Sequence, residues 1–190
     1  MSDVKSIILV GVGGQGTILV SKVLTNGLIK HGYDVKMSEI HGMSQRGGSV
    51  STQVRFGKKV YSPIIGSGEA DILVAFEKME AVRYSEFLRP GGTAVINDYE
   101  IVPMNVAAGE EKYPEGTIEA MSSAFNTVVL NAADIAIGLG NPKCMNIVLF
   151  GALVKALGLT DIDWETVLRE TIPPKFLELN LKAYKAGFEA

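Results

Sequence analysis

The hydrophobic pattern opens with residues 5–10, a short unbroken apolar run that ends in glycine and predicts a buried strand. Residues 14–31 follow with helical spacing. Ile18, Leu19, Val23, Leu28 and Ile29 carry the expected apolar face, and Gly32 is placed to end the helix. Residues 34–39 predict a second strand, so this stretch reads as β-α-β, a parallel pair with a right-handed crossover. Residues 49–56 alternate polar and apolar with period two and predict a half-exposed strand. Gly57-Lys58 offers a turn and residues 60–62 a short return strand, a β-hairpin stopped by Pro63.

Residues 71–76 and 93–97 read as strands, with a helix at 77–88 that ends before Pro90. Residues 100–120 read as irregular, broken by Pro103, Gly109, Pro114 and Gly116. A strand at 127–130 leads into helices at 131–139, 144–157, 163–171 and 174–188, with Trp164 packing at the start of one of them. The pattern predicts one α/β domain over residues 1–190: a Rossmann-like, open, largely parallel sheet flanked by helices, with a β-hairpin and a helical C-terminal part.

Composition narrows the classes. The 190 residues are 47% hydrophobic and 21% charged, with a formal net charge of −3. That is an ordinary globular balance. There is no Lys/Arg run to suggest nucleic acid, no apolar stretch of membrane-spanning length and no signal-peptide layout, which together predict a cytoplasmic protein. Cys144 is the single cysteine, so no disulfide within the chain and no Cys-ligated cluster is expected, and a buried structural thiol is its ordinary role. His31 and His41 lack metal-ligand spacing, so no metal site is expected.

Two glycine loops carry the candidate chemistry. Gly11, Gly13 and Gly16 match G-x-G-x-x-G between a strand and a helix. The first glycine permits a tight turn, the second lets backbone N–H groups approach a pyrophosphate, and the third permits close helix packing. With Gly14 and Gln15 they form a candidate phosphate site at a helix N-terminus; the alternative is a purely structural turn. Glu39 lies where a dinucleotide site would want an acid for a ribose hydroxyl. The second loop, His41 to Gly48, leaves the carboxyl end of the second predicted strand. Arg46 sits there beside Ser44, Gln45, Gly47 and Gly48, and suits bidentate binding of a carboxylate or phosphate; the alternative is a surface arginine paired with an acid. His41 is a weaker candidate for ligand contact. Glu77, Asn97, Asp98 and Asn131 all stand at strand ends, where helix capping explains them as well as a cleft does.

Gly11 to Gly16, the stretch from Glu39 to Gly48, Ser62-Pro63-Ile64 and the run from Asp71 to Phe76 together resemble the gamma-type subunit or domain of 2-oxoacid:ferredoxin oxidoreductases. The form His-Gly-Met-Ser-Gln-Arg-Gly-Gly resembles the indolepyruvate branch, and the likeness covers essentially the whole chain. The resemblance implies a subunit, inactive alone, of an enzyme that oxidatively decarboxylates aryl 2-oxoacids to acyl-coenzyme A and passes electrons to ferredoxin. It implies that thiamine diphosphate and [4Fe-4S] clusters belong to a large alpha subunit. This chain would complete the active site and help bind coenzyme A. Residue by residue, it assigns Gly11, Gly13, Gly14, Gln15 and Gly16 to a phosphate-bearing group, with Ser44 and Gln45 secondary. Arg46, Gly47 and Gly48 would face the active centre or the coenzyme A tail, with His41 beside them. An isolated subunit can also dimerise through the patch meant for its partner. Two other classes stay open from the residues alone: an NAD(P)-dependent dehydrogenase and a non-catalytic nucleotide-binding regulatory protein.

Overall fold

A computed structural model describes residues 4–41 and 47–190, with the backbone alone at His41. Six strands among the described residues form one sheet: β1 (Lys5–Val12), β2 (Asp34–His41), β3 (Ser49–Gly57), β4 (Ala70–Ala75), β5 (Leu88–Asn97) and β6 (Asn126–Leu130). Their order is β2-β3-β1-β4-β5-β6. β1, β4, β5 and β6 are successively parallel, while β3 runs antiparallel to both β1 and β2. The helices are α1 (Thr17–Lys30), α2 (Lys78–Arg83), α3 (Met104–Ala107), α4 (Thr117–Ala124), α5 (Ala132–Gly138), α6 (Met145–Leu157), α7 (Trp164–Thr171) and α8 (Pro174–Glu189).

The sheet corrects the expected β-α-β pair. β2 does not bond to β1, because β3 lies between them, with Glu39 opposite Thr52 and Leu9 opposite Thr52 from the other side. β3 is therefore an interior strand, not a half-exposed one. Thr52, Val54 and Phe56 lie on the face packed by α1, where Val54 and Phe56 join its core. Ser51 and Gln53 lie on the opposite face and are buried too, and the Gln53 amide oxygen accepts the Ile65 N–H at 2.8 Å. Period-two alternation records only that the two faces differ; here the polar face is satisfied by a loop instead of water. The hairpin also moves. Residues 60–62 form no strand, and the Val60 N–H donates instead to Asp34 at 3.0 Å. The antiparallel pair is β2–β3, joined through the second glycine loop.

α1 buries a rotated face. It starts at Thr17, after Gly16 in the left-handed conformation, and buries Val20, Val23, Leu24 and Leu28, while Ile18 and Ile29 are 62% and 57% exposed. The spacing 17, 20, 24, 28 is a single helical stripe that the expected start at residue 14 obscured. The expected 77–88 helix stops at Arg83 and is followed by a 3-10 turn at Ser85–Phe87. β5 includes Pro90, and its register against β4 shifts between Ala70 and Ile72. The stretch 100–120 contains α3 and the start of α4.

Two cores lie on the two faces of the sheet. On one, Ile7, Leu9, Val54 and Val74 meet α1 and α6, and Phe150 stacks edge-to-face on Trp164 with centroids 5.1 Å apart. Trp164 begins α7, as expected, and its indole N–H donates to the Leu159 carbonyl at 2.8 Å. α6 and α8 cross at two glycines: a Cβ on Gly151 would strike the Tyr184 carbonyl, and one on Gly187 the Val148 carbonyl. On the other face, Ile8, Val10, Leu73 and Ile96 pack with Ala81 of α2 and Met121 of α4. Burial of this kind stabilises the fold by about 25 cal/mol per Å² of apolar surface, and the two cores together cover both faces of the sheet that carries the site.

Candidate functional site

The parallel strands deliver β1 and β4 side by side to one edge, and the first glycine loop turns there into α1. The Gln15 N–H closes a tight turn onto the Val12 carbonyl at 3.1 Å. Gly14 and Gly16 have φ of +103° and +83°, which other residues adopt only with strain. Gly16 is the N-cap of α1 and offers no side-chain acceptor, so the first N–H groups of the helix stay open. The N–H groups of Gly14, Gly16, Thr17 and Ile18 have no backbone acceptor among the described residues. With the helix dipole they form a partial positive end suited to an anion.

The other members of the motif have structural roles here. Gly11 lies inside β1, and a Cβ on it would sit 2.8 Å from Gln15 Oε1 and 3.0 Å from Phe76. Gln15 points inward, not at a ligand: Oε1 accepts the Val12 N–H at 2.8 Å and Nε2 donates to the Phe76 carbonyl at 2.8 Å. Asn97 Nδ2 donates to that same carbonyl at 3.1 Å, and Asn97 Oδ1 accepts the Ala132 N–H at 2.9 Å. Two buried amides thus pin the ends of β1, β4 and β5 together. Gly13 does not present its N–H to the cleft; it donates to the Gly48 carbonyl at 2.8 Å and ties the first loop to the second.

A cleft of about 430 Å³ lies between the start of α1 and the ends of β2 and β3. Gly14, Gly16, Thr17 and Ile18 form one wall; Glu39, Ile40, Val50 and Thr52 form the other. Glu39 is exposed, and one of its oxygens accepts the Ser21 hydroxyl at 3.2 Å. Of the second loop, Gly47 (φ +77°) and Gly48 border the described residues. The His41 side chain, Ser44, Gln45 and Arg46 lie outside the described residues.

Residues that the sequence pattern did not single out brace the exit of that loop. Ser49 opens β3 and donates to Glu80 Oε2 at 2.5 Å, and its oxygen lies 3.3 Å from the Tyr84 hydroxyl. Arg83 Nε lies 3.1 Å from the other Glu80 oxygen. Glu80 is buried, and desolvation pushes its carboxyl above the usual range against the opposing pull of Ser49 and Arg83. Glu77 caps α2 by accepting the Glu80 N–H at 3.0 Å, so the capping role holds. It also accepts the Tyr113 hydroxyl and the Ile101 N–H, which fastens the 98–113 segment to the same helix. Asn146 Nδ2 donates to the Gly16 carbonyl at 3.3 Å. Its signal was a lone amide in the otherwise apolar start of α6. Glu80 left none, because a glutamate one turn into a helix is usually solvated.

Asn131 caps α5, and Asp98 pairs with Lys78. Cys144 is buried; its thiol donates to the Asn141 carbonyl at 3.0 Å and is pushed up by desolvation, which disfavours the reactive thiolate. Among the described residues no group of three or more His, Cys, Asp or Glu is placed to hold a metal ion, and no helix is long and apolar enough to cross a membrane. The cleft does not favour a dinucleotide dehydrogenase, since the Gly13 N–H is already occupied and Glu39 is turned onto α1.

Comparison with known proteins gives the family. Indolepyruvate oxidoreductase subunit IorB of Pyrococcus horikoshii is 39% identical over 191 residues, covering 97% of this chain and 95% of that one. The crystal structure of a keto/oxoacid ferredoxin oxidoreductase gamma subunit from Geobacter sulfurreducens superposes with a TM-score of 0.72 at 25% identity, covering 97% of this chain and 96% of that one. The same fold occupies 31% of a longer chain, a 2-oxoglutarate:ferredoxin oxidoreductase from Magnetococcus marinus, with a TM-score of 0.74 at 19% identity over all of this chain. The family model for pyruvate ferredoxin/flavodoxin oxidoreductase matches residues 6–190, and the chain belongs to that family.

Proposed function

We propose that this chain is the small, gamma-type subunit of an indolepyruvate-type 2-oxoacid:ferredoxin oxidoreductase, acting as one domain over residues 1–190. In this reading it is inactive alone and completes the active site of a large alpha subunit. That subunit carries the thiamine diphosphate and [4Fe-4S] clusters and delivers electrons to ferredoxin. Coenzyme A supplies the thiol that accepts the acyl group.

The observation that carries the reading is the open helix end above the cleft. The N–H groups of Gly14, Gly16, Thr17 and Ile18 fit one phosphate of coenzyme A. Gln15, Gly11 and Gly13 act indirectly by holding that turn in place. Glu39 on the far wall repels a second dense anion and leaves a hydroxyl or amide group as the better fit there. Arg46, with Ser44, Gln45 and His41, is assigned to the carboxylate or phosphate on the active-centre side, and Gly47 and Gly48 to its close approach. The relatives' names support the substrate class: the Pyrococcus protein is an indolepyruvate oxidoreductase subunit, and the Magnetococcus enzyme was solved with coenzyme A bound.

The test is co-expression with the large subunit under anaerobic conditions and steady-state assay with indolepyruvate and coenzyme A. Losing one charge-assisted contact costs about 1.5–3 kcal/mol, so Arg46→Ala is expected to lower kcat/KM roughly 10- to 100-fold in a complex that still assembles. Unchanged kinetics would remove Arg46 from the site. A chain that assembles with no such partner would remove the subunit reading itself.

A further inference from the structure

The sheet has two edges, and they are defended differently. β2, at one edge, carries Asp34, Lys36 and Glu39, and Asp34 is paired with Lys36 at 2.5 Å and Lys59 at 3.4 Å. Charges of this kind are a usual protection for an exposed edge. β6, at the other edge, reads Asn126-Thr127-Val128-Val129-Leu130 and carries none. Among the described residues its one strand neighbour is β5, with Val128 and Val129 about two-fifths exposed and Ile137 of α5 more than half exposed. Such a strand presents unpaired N–H and C=O groups beside an apolar surface.

Alongside it runs a groove of about 560 Å³ whose wall includes Val129. Asp98, Glu100, Glu115 and Glu119 line it, against a single ammonium, Lys78. That ammonium is already held by Glu100 at 2.5 Å and Asp98 at 3.5 Å. The groove therefore keeps an excess of negative charge directly beside the bare strand.

We propose that β6 and the acidic groove receive an extended, basic segment of a different polypeptide, which adds a strand to the sheet. Its apolar side chains would cover Val128 on one face of the sheet, and its arginines or lysines would enter the groove beside Val129 on the other. Charge decides between occupants. A second copy of this chain, docked about a twofold axis, would bring the same carboxylates against one another. A basic strand instead meets them with opposite charge while the backbone groups pair. This inference goes beyond the subunit reading and does not depend on it.

The test uses the full-length, nitrogen-15-labelled chain with a short synthetic peptide of alternating arginine and valine. A peptide of alternating glutamate and valine is the control. The expected result is saturable binding of the basic peptide, with shifts centred on residues 126–130 and slowed exchange of the outward-facing β6 amides. The exposed double variant Glu115→Lys/Glu119→Lys is expected to bind roughly tenfold more weakly or worse. Three outcomes overturn the proposal. One is binding that leaves those amides unprotected. Another is equal binding of the acidic peptide. The third is self-association in sedimentation that Val129→Lys abolishes, which would give the edge to a second copy.

Discussion

Gly16 shows how one position can carry several constraints. It holds φ at +83°, caps α1 and faces Asn146 so closely that a Cβ would collide with the Asn146 amide. Gly16→Ala is expected to cost about 1–3 kcal/mol from backbone strain alone, with the collision added. Gly14, with φ +103° but open space around it, should show only the strain. Urea midpoints of the two variants would separate these contributions, and equal losses would count against the Asn146 contact. That these glycines mark a turn was legible, because a strand followed by G-x-G-x-x-G admits few backbones. Their individual roles were not, because the partners that set them are distant in the chain. Gln15 answers to Phe76, 61 positions on, and Gly16 to Asn146, 130 positions on.

Elements differ in how far the pattern reveals them. Strands β1 and β4 were legible because each is a short, almost unbroken apolar run that ends at the sheet's carboxyl edge, and the helices after residue 130 because they are longer apolar or amphipathic stretches separated by turn residues. β3 was legible as a strand but not as an interior one, since alternation cannot tell a loop-covered polar face from a solvated one. Helix packing carries a sharper constraint that no periodicity states: α6 and α8 touch through glycine. Gly187→Ala would press a methyl into the Val148 backbone and is expected to cost about 1–3 kcal/mol by overpacking. Gly138→Ala is the control, because a Cβ there meets nothing within 4 Å and helical alanine is favoured over glycine by roughly 0.5–1 kcal/mol. Thermal unfolding should therefore show a lowered Tm for the first and an unchanged or raised Tm for the second. Matching shifts would argue against the tight crossing.

Over the whole molecule, the buried carboxylate of Glu80 links stability to pH. Desolvation raises its folded value above the ordinary glutamate value of 4.5, so the folded chain holds a proton that the unfolded chain releases first. By linkage this contribution favours folding at low pH and is lost as pH rises from just below 4.5 through the raised folded value. Glu80→Gln, which cannot ionise, is expected to flatten that decline in urea titrations across the range. A variant with the wild-type slope would place the effect elsewhere. The wedge position of β3 governs the molecule in time as well as in space. During synthesis β1, α1 and β2 leave the ribosome before β3, yet β1 and β2 share no ladder. The stretch that looks like a self-sufficient nucleotide-binding half is thus two strands waiting for a third. β2 gains its one strand neighbour among the described residues, and Gly13 its tie to Gly48, when Ser49–Gly57 inserts between them. The cleft accordingly depends on that insertion: a nascent chain halted before it has every glycine of the motif but lacks Val50 and Thr52, half of the facing wall.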